Sequence, residues 1–339
     1  MKRKQMLFIY NPNAGRGTFA PKLSDVIDTF VKADYEVVVR PTQARLDAYE
    51  EVKSFRYPYD IVGCCGGDGT LDEVVAGMIT RTDRIPIGYI PTGTVNDFAS
   101  SLHIPKLPLK AAQQIVDGFP FPCDIGQLGE HTFVYVAAFG MFTDVSYETN
   151  QQTKNVLGQA AYLLEGVKRL SKLPKHHIRI TYDGNTIEDE FIFGMITNSK
   201  SVGGFRGIIG RKVLFDDGQF EVTLVKYPKK LADLQGIVNG LVLQNKDDHI
   251  YQFRASEITF DAFEEIPWTR DGEYGGTYEH VEVKNLKQAI KIVVNQNALS
   301  SISEQGPSLA RTRHRALLCR PCRSPRASPA LGRCGRSGQ

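Results

Sequence analysis

No stretch of the chain approaches the roughly 20 consecutive apolar residues that a membrane-spanning helix needs, so any contact with a bilayer is expected to be peripheral. Cysteine is scarce as well. Of six in 339 residues, Cys64, Cys65 and Cys123 lie in the body and Cys319, Cys322 and Cys334 near the end. That pattern predicts no disulfide framework and fits a reducing, cytoplasmic compartment. There is no internal repeat, no lysine-bearing Walker loop and no protein-kinase signature, so nucleotide chemistry here needs another way to hold phosphate. The apolar run from Met6 to Tyr10 is too short for a signal peptide and no cleavage site follows it; it reads as a first strand.

A basic face is missing too. The formal charge of +3 comes from the last residues: Ser303 to Gln339 hold eight Arg, no Lys and one acidic residue. Without them, 33 basic side chains face 37 acidic ones, a net charge of −4, and the basic residues are scattered. That argues against nucleic acid as a partner. The tail, rich in Arg, Pro, Ser and Gly, cannot build a core, and its abrupt change of composition reads as disorder, read-through, a frameshift or an expression artefact. Cys319, Cys322, Cys334 and His314 within it match none of the usual zinc spacings.

What is present is ordinary globular composition, 42% hydrophobic and 23% charged, long enough for two domains. To about Cys123, short apolar runs alternate with helix-period segments, as in a parallel α/β sheet. Strands are expected at Met6 to Tyr10, Glu36 to Arg40, Asp60 to Cys64 and Ile85 to Ile90. A helix between the first two is expected to bury Phe19, Leu23, Val26, Ile27, Phe30 and Val31. From Asp124 the texture turns to antiparallel β: Thr132 to Ala138, His177 to Tyr182, Phe191 to Thr197, Gln219 to Val225, Glu257 to Phe260, Val281 to Val283 and Ile290 to Val294. Two helices interrupt it, around Leu157 to Leu170 and at Leu231, Leu234, Ile237, Val238 and Leu241.

Four loops could carry chemistry. Asn11-Pro12-Asn13-Ala14-Gly15-Arg16-Gly17 follows the first strand, where glycines let backbone N–H groups approach an anion at a helix start; Gly15 to Ala20 also spells GxGxxA, a weak dinucleotide fingerprint. Gly66-Gly67-Asp68-Gly69-Thr70 surrounds one carboxylate with three glycines. Backbone N–H groups there can hold phosphate while Asp68 faces a cation. Thr70 and Glu73 form a capping-box pattern ahead of a helix that buries Leu71, Val74, Val75 and Met78. Pro91-Thr92-Gly93-Thr94-Val95-Asn96-Asp97 offers hydroxyls and a carboxylate, although capping by Thr94 or Asn96 also explains it. Phe215-Asp216-Asp217-Gly218 and Arg270-Asp271-Gly272-Glu273 are Asp-Gly turns; turn formation leaves Glu273 unexplained. Gly203-Gly204 adds a further loop of unassigned role.

In this order and at these separations, YNPNAG, GGDGT, PTGTVNDFA, FDDG and DGE resemble the diacylglycerol kinase catalytic-domain family, especially its soluble bacterial lipid kinases, from about Lys4 to Ile302. GGDGT alone is shared with NAD kinases and phosphofructokinase-like folds; the combination is specific. The resemblance implies an α/β nucleotide-binding domain of the NAD kinase/diacylglycerol kinase type (1–123, completed by 290–302), a largely antiparallel β-sandwich lipid-substrate domain (124–289), and a cleft between them. It implies ATP and Mg²⁺, with a membrane lipid, most simply diacylglycerol, as acceptor at the inner membrane surface, and leaves homodimerisation open. Asn11, Pro12, Asn13, Ala14, Gly15, Thr42, Gly66, Gly67, Asp68, Gly69, Thr70, Leu71, Asp72, Glu73 and Thr94 match nucleotide-contacting positions. Glu273 matches the proton acceptor, and Asp68 and Asp97 are expected to organise the nucleotide's Mg²⁺. Leu214 and Gln219, through carbonyls, and Asp217, through its carboxylate, match a second, structural Mg²⁺ site. Two departures stand out: Ala14 where the family usually has Ser, and Asp72 where it often has Asn. The alternatives are an NAD kinase and a catalytically silent nucleotide- or lipid-binding regulator; an NADP-binding reductase leaves GGDGT unexplained.

Overall fold

Four short apolar runs form the parallel heart of the protein. They are β1 (Lys4–Tyr10), β2 (Tyr35–Pro41), β3 (Ile61–Gly66) and β4 (Ile87–Pro91), laid side by side in the order β4-β3-β1-β2. Met6, Leu7, Phe8 and Ile9 are all buried, which explains a continuous apolar run instead of an alternating one. The connections carry helices α1 (Leu23–Lys32), α2 (Asp47–Ser54), α3 (Asp68–Ile79), α4 (Asp97–Ser101) and α5 (Pro108–Asp117). From β1 the chain crosses to β2 on one side and then back past β1 to β3. A crevice therefore opens beyond the C-terminal ends of β1 and β3, where open α/β sheets bind ligands. The computed structural model describes residues 3–17, 19–141, 173–200, 202, 213–243 and 245–303. The expected helix at Leu157 to Leu170, Gly203-Gly204 and the arginine-rich tail beyond Ser303 lie outside these.

The second half is antiparallel. Its strands are β5 (Phe119–Leu128), β6 (His131–Phe133), β7 (Val136–Gly140), β8 (His176–Tyr182), β9 (Asn185–Thr197), β10 (Phe220–Lys226), β11 (Ile250–Ala255), β12 (Glu257–Arg270) and β13 (Glu273–Val294). Two long strands fold the sheet over. In β9, residues 185–191 pair with β8 and 193–197 with β7; in β12, residues 258–262 pair with β8 and 268–270 with β7. The four strands thus close on one another around Phe139, Phe260 and Trp268, whose ring centroids lie 4.8–5.9 Å apart. Helix α6 (Leu231–Leu243) buries Leu234, Ile237, Val238 and Leu241 against Ile192 and Val225.

One strand joins the halves. The start of β13 pairs with β12, while its end pairs with β5 and, at Ile292, in parallel with Ile87 of β4, so a single 13-stranded sheet runs through the molecule. Beyond it, α7 (Leu299–Ile302) buries Leu299 and Ile302 in the same core as β1 and β3.

Several expectations change. Val31 is 47% exposed and Phe19 is buried ahead of α1; the apolar face is narrower than the pattern suggested. β5 is unannounced because Pro120 and Pro122 sit in it, tolerated where β13 is its partner and its other edge is free of strand pairing. β11 is a partly exposed edge strand. No helix among the described residues is long and apolar enough to cross a membrane.

Candidate active site

The loops after β1, β2, β3 and β4 converge with the β12–β13 turn on a cleft of about 470 Å³. Asn11, Asn13, Ala14, Gly15, Thr42, Gly67, Gly69, Thr70, Asp72, Glu73, Thr94 and Glu273 line it. So do Gly93 and Arg270, from the third and fourth of the loops expected to carry chemistry, and Gln43, Ala44, Arg45 and Leu46, which no motif singles out. Pro12, Gly66, Leu71, Asp68 and Asp97 do not line it. Leu71 and Asp97 are buried, and Gly66 is the last residue of β3. Leu214, Asp217 and Gln219 belong to a separate loop.

The first loop is not a helix start. After Asn11 the chain makes a 3₁₀ turn over Ala14–Gly17, with Gly15 and Gly17 at φ 57° and 72°, and α1 begins only at Leu23. The loop is tied down by Asn11, whose N–H donates to the Cys65 carbonyl (2.9 Å) and whose Nδ2 donates to Thr70 Oγ1 (3.2 Å).

The GGDGT loop turns directly into α3, with Gly67 as N-cap and Asp68 as first helical residue. The capping box does not form. Thr70 is turned toward Asn11, and a Cβ on Gly66 would sit 2.5 Å from Thr70 Cβ, so only glycine fits there. Glu73 instead caps the neighbouring helix: its oxygens accept the N–H of Leu46 (2.8 Å) and Ala48 (3.2 Å) at the start of α2. Capping by Asn96 also fails. At φ 54° its side chain accepts from Gly93 N–H (3.1 Å) and donates to Gly93 O (2.7 Å), while its own N–H reaches Asp68 Oδ2 (3.0 Å). A Cβ on Gly93 would fall 2.6 Å from Gly67 Cα, so glycine lets these two loops touch.

Asp68 therefore lies beneath the loop. Its Oδ1 is buried and has no hydrogen-bond partner, and burial, then the charge of Asp97, push its carboxyl up to about 6. An orphaned carboxylate oxygen beside a second carboxylate suits one divalent cation whose remaining ligands are nucleotide phosphates and water, which is how Mg²⁺ usually binds. The residues present fit that ion. No group of three or more His, Cys, Asp or Glu among the described residues forms a metal cage on its own.

The expected second metal site does not fit. Asp217 Oδ1 accepts the N–H of Gln219 (3.0 Å), and its Oδ2 pairs with the guanidinium of Arg254, which also reaches Glu221 Oε1 (3.2 Å). Arg254 and Glu221 are cross-strand partners on β11 and β10. The positive charge at this carboxylate is thus part of the chain.

Across the cleft, Asp271 and Gly272 (φ 49° and 84°) make the tight turn that aims Glu273. Asp183-Gly184 has the same φ signs (45° and 77°) in a turn between β8 and β9, yet only Asp271 is buried. Its carboxylate accepts the N–H groups of Val134 (2.5 Å), Tyr135 (2.9 Å) and Val136 (3.0 Å), fixing the turn to the strand behind it. Asp271 is therefore a structural group. Glu273 faces the start of α3, since a Cβ on Gly69 would be 3.5 Å from its Oε1. Its Oε2 is 2.6 Å from Arg45 Nη2. The extra charge of Asp72 is met by Arg270, whose Nη1 lies 3.0 Å from Asp72 Oδ2 and 3.0 Å from the Thr132 carbonyl.

Residues 5–128 match the family profile of the diacylglycerol kinase catalytic domain, and residues 136–294 that of the YegS C-terminal NAD kinase beta sandwich-like domain. A diacylglycerol kinase of Staphylococcus carnosus (strain TM300) is 35% identical over 297 residues, 86% of this chain and 95% of that protein. One from Bacillus subtilis (strain 168) is 33% identical over 309 residues, 90% of this chain and 100% of that protein. The crystal structure of a candidate diacylglycerol kinase from Bacillus anthracis str. Sterne superposes with a TM-score of 0.75 at 26% identity, covering 88% of this chain and 97% of that one.

Proposed function

The chain belongs to the diacylglycerol kinase family, and from that premise we propose that it transfers the γ-phosphate of ATP to the free hydroxyl of a diacylglycerol in the cleft between α3 and β13. The observation that carries this is the placing of Glu273, from the second half of the chain, over Gly69 at the start of α3. Phosphoryl transfer asks a protein for in-line positioning, charge neutralisation and a proton acceptor. The glycines Gly15, Gly67 and Gly93 line the cleft and carry no side chain that would keep phosphates from the backbone. Asp68 would hold Mg²⁺, directly or through water, and the ion would draw negative charge from the transferring phosphoryl group. Glu273 takes the hydroxyl proton as the acceptor oxygen attacks.

Ala14 lines the cleft, so the family's usual hydroxyl is missing there and one phosphate donor with it. Asp72 keeps its charge paired with Arg270, which removes the reason to read it as inactivating. A lipid acceptor requires the cleft to meet a bilayer. With a body charge of −4 and no spanning helix among the described residues, that contact is weak and reversible.

Labelled ATP with a panel of diacylglycerol, phosphatidylglycerol, a sphingoid base and a polyprenol in mixed micelles, with NAD in parallel, tests the assignment. The expected product is phosphatidic acid, formed only with Mg²⁺ present. Phosphorylation of NAD and of no lipid would sink it.

A further inference from the structure

We propose that Arg45 is the cation that binds the nucleotide's terminal phosphates, and that without nucleotide it rests on the carboxylate it will later release; this builds on the kinase reading above. The need for such a cation is chemical. Charge spreads over the oxygens of the transferring group, and other nucleotide-binding loops meet it with a lysine that this sequence lacks.

The charged side chains lining the cleft are Arg45, Arg270, Asp72, Glu73 and Glu273. Arg270 is committed, its Nη1 shared between Asp72 and the Thr132 carbonyl, with its side chain only 18% exposed. Glu73 is engaged by the α2 start. Arg45 differs: its side chain is 72% exposed, and its partner Glu273 is 50% exposed. An ion pair in that much water is easily exchanged.

Its position is built, too. Leu46, the next residue, has φ 68°, a left-handed conformation that a leucine rarely adopts. Glu73, one turn along α3 from the GGDGT loop, accepts the Leu46 N–H and holds that bend in place. The helix that begins at the phosphate loop therefore also fixes the loop that carries Arg45.

A terminal phosphate carries more charge than a carboxylate and offers a guanidinium a bidentate fit. When nucleotide enters, Arg45 moves from Glu273 Oε2 to the phosphate, and the freed carboxylate can accept a proton. The acceptor's O–H proton goes to Glu273 as its oxygen bonds the γ-phosphorus. The bond from that phosphorus to the β–γ bridging oxygen breaks, and ADP leaves with the electron pair. Base and nucleotide are thereby coupled through Arg45, a phosphate-binding and positioning residue.

Calorimetric titration of the full chain with Mg²⁺ and ATP, ADP or AMP tests this without relying on lipid turnover. Arg45→Ala should weaken ATP by about 10-fold or more, the loss of a charge-assisted hydrogen bond, and leave AMP within about 2-fold. Arg45→Lys should recover part of the ATP loss. Glu273→Gln should tighten ATP by roughly 2- to 5-fold in the native background, and not at all when Arg45 is already Ala. Equal affinity of Arg45→Ala and the native chain for ATP, or equal weakening of ATP and AMP, would overturn the phosphate role. The same Glu273→Gln effect in both backgrounds would overturn the coupling. If the affinities behave as expected while no lipid is phosphorylated, the kinase assignment has failed and the Arg45 inference stands.

Discussion

Arg270 and Asp72 face each other on the wall of the cleft, Nη1 to Oδ2 at 3.0 Å, one from the end of β12 and the other from the second turn of α3. With side chains 18% and 16% exposed, this pair is well shielded. Removing its cation should cost more than removing a surface charge. Arg270→Ala leaves Asp72 buried without a counter-ion and the Thr132 carbonyl without its donor, so a loss of about 2–4 kcal/mol is expected. Chemical denaturation should show it as a lower midpoint, and a change within 0–1 kcal/mol would show that the pair does not brace the cleft.

The same carboxylate gives a pH signature. Burial raises Asp72 from 3.8 to about 6, against the pull of Arg270. The native state then binds its proton more tightly than the unfolded chain. The resulting stability is complete below pH 3.8, and is lost as pH rises through 6. Asp72→Asn does not titrate. Relative to the native protein it should gain stability as pH rises through the carboxylate's raised titration range, read from paired denaturation curves. A difference that is flat with pH, or falls, would show that Asp72 does not titrate in this window.

Glu273 and Asp68 should separate chemistry from binding. Glu273→Gln is expected to lower turnover by roughly 10²- to 10⁴-fold, the range of a general base, while ATP binds slightly more tightly, by the roughly 2- to 5-fold that release of Arg45 allows. Asp68→Ala should damage both, since Asp68 also holds the Asn96 N–H of the neighbouring loop. Turnover and ATP binding measured side by side decide it; near-native turnover in Glu273→Gln would send the search for the base elsewhere in the cleft.

Arg254 should stand in for a structural metal. Without nucleotide, chelation should not change the melting temperature of the native protein. Arg254→Ala leaves Asp217 and Glu221 without their cation and should lose about 1–3 kcal/mol, discounted because the arginine is 41% exposed. Millimolar Mg²⁺ should restore part of that loss. A native protein that melts lower on chelation would return the metal to this loop.

Among the described residues, the packed segment reaches one residue further than composition suggested. Ser303 is buried, its Oγ bonded to Asp216 and its N–H to the Leu299 carbonyl (3.1 Å). A chain ending at Ser303 should keep its activity and melting temperature. One ending at Ile302 should melt lower, by about the few degrees that 1 kcal/mol represents in a domain of this size. Loss of activity on truncation after Ser303 would give the arginine-rich tail a role.

The sequence by itself determined the class of the fold and the identity of the loops. Parallel strands buried on both faces leave continuous apolar runs, and glycines needed for close approach, as at Gly66 and Gly93, leave motifs that spacing reveals. Strand limits were less legible in β12 and β13, where one face meets water and polar residues interrupt the pattern. What only the tertiary structure decided was pairing. Arg45 with Glu273 and Arg270 with Asp72 join residues 228 and 198 positions apart, and Glu73 caps a helix other than its own. Local sequence records the side chain and its backbone preference. The charge it meets is set by which distant strand arrives beside it, and here the hairpin of β12 and β13, which carries Arg270 and Glu273 to the cleft, makes that choice.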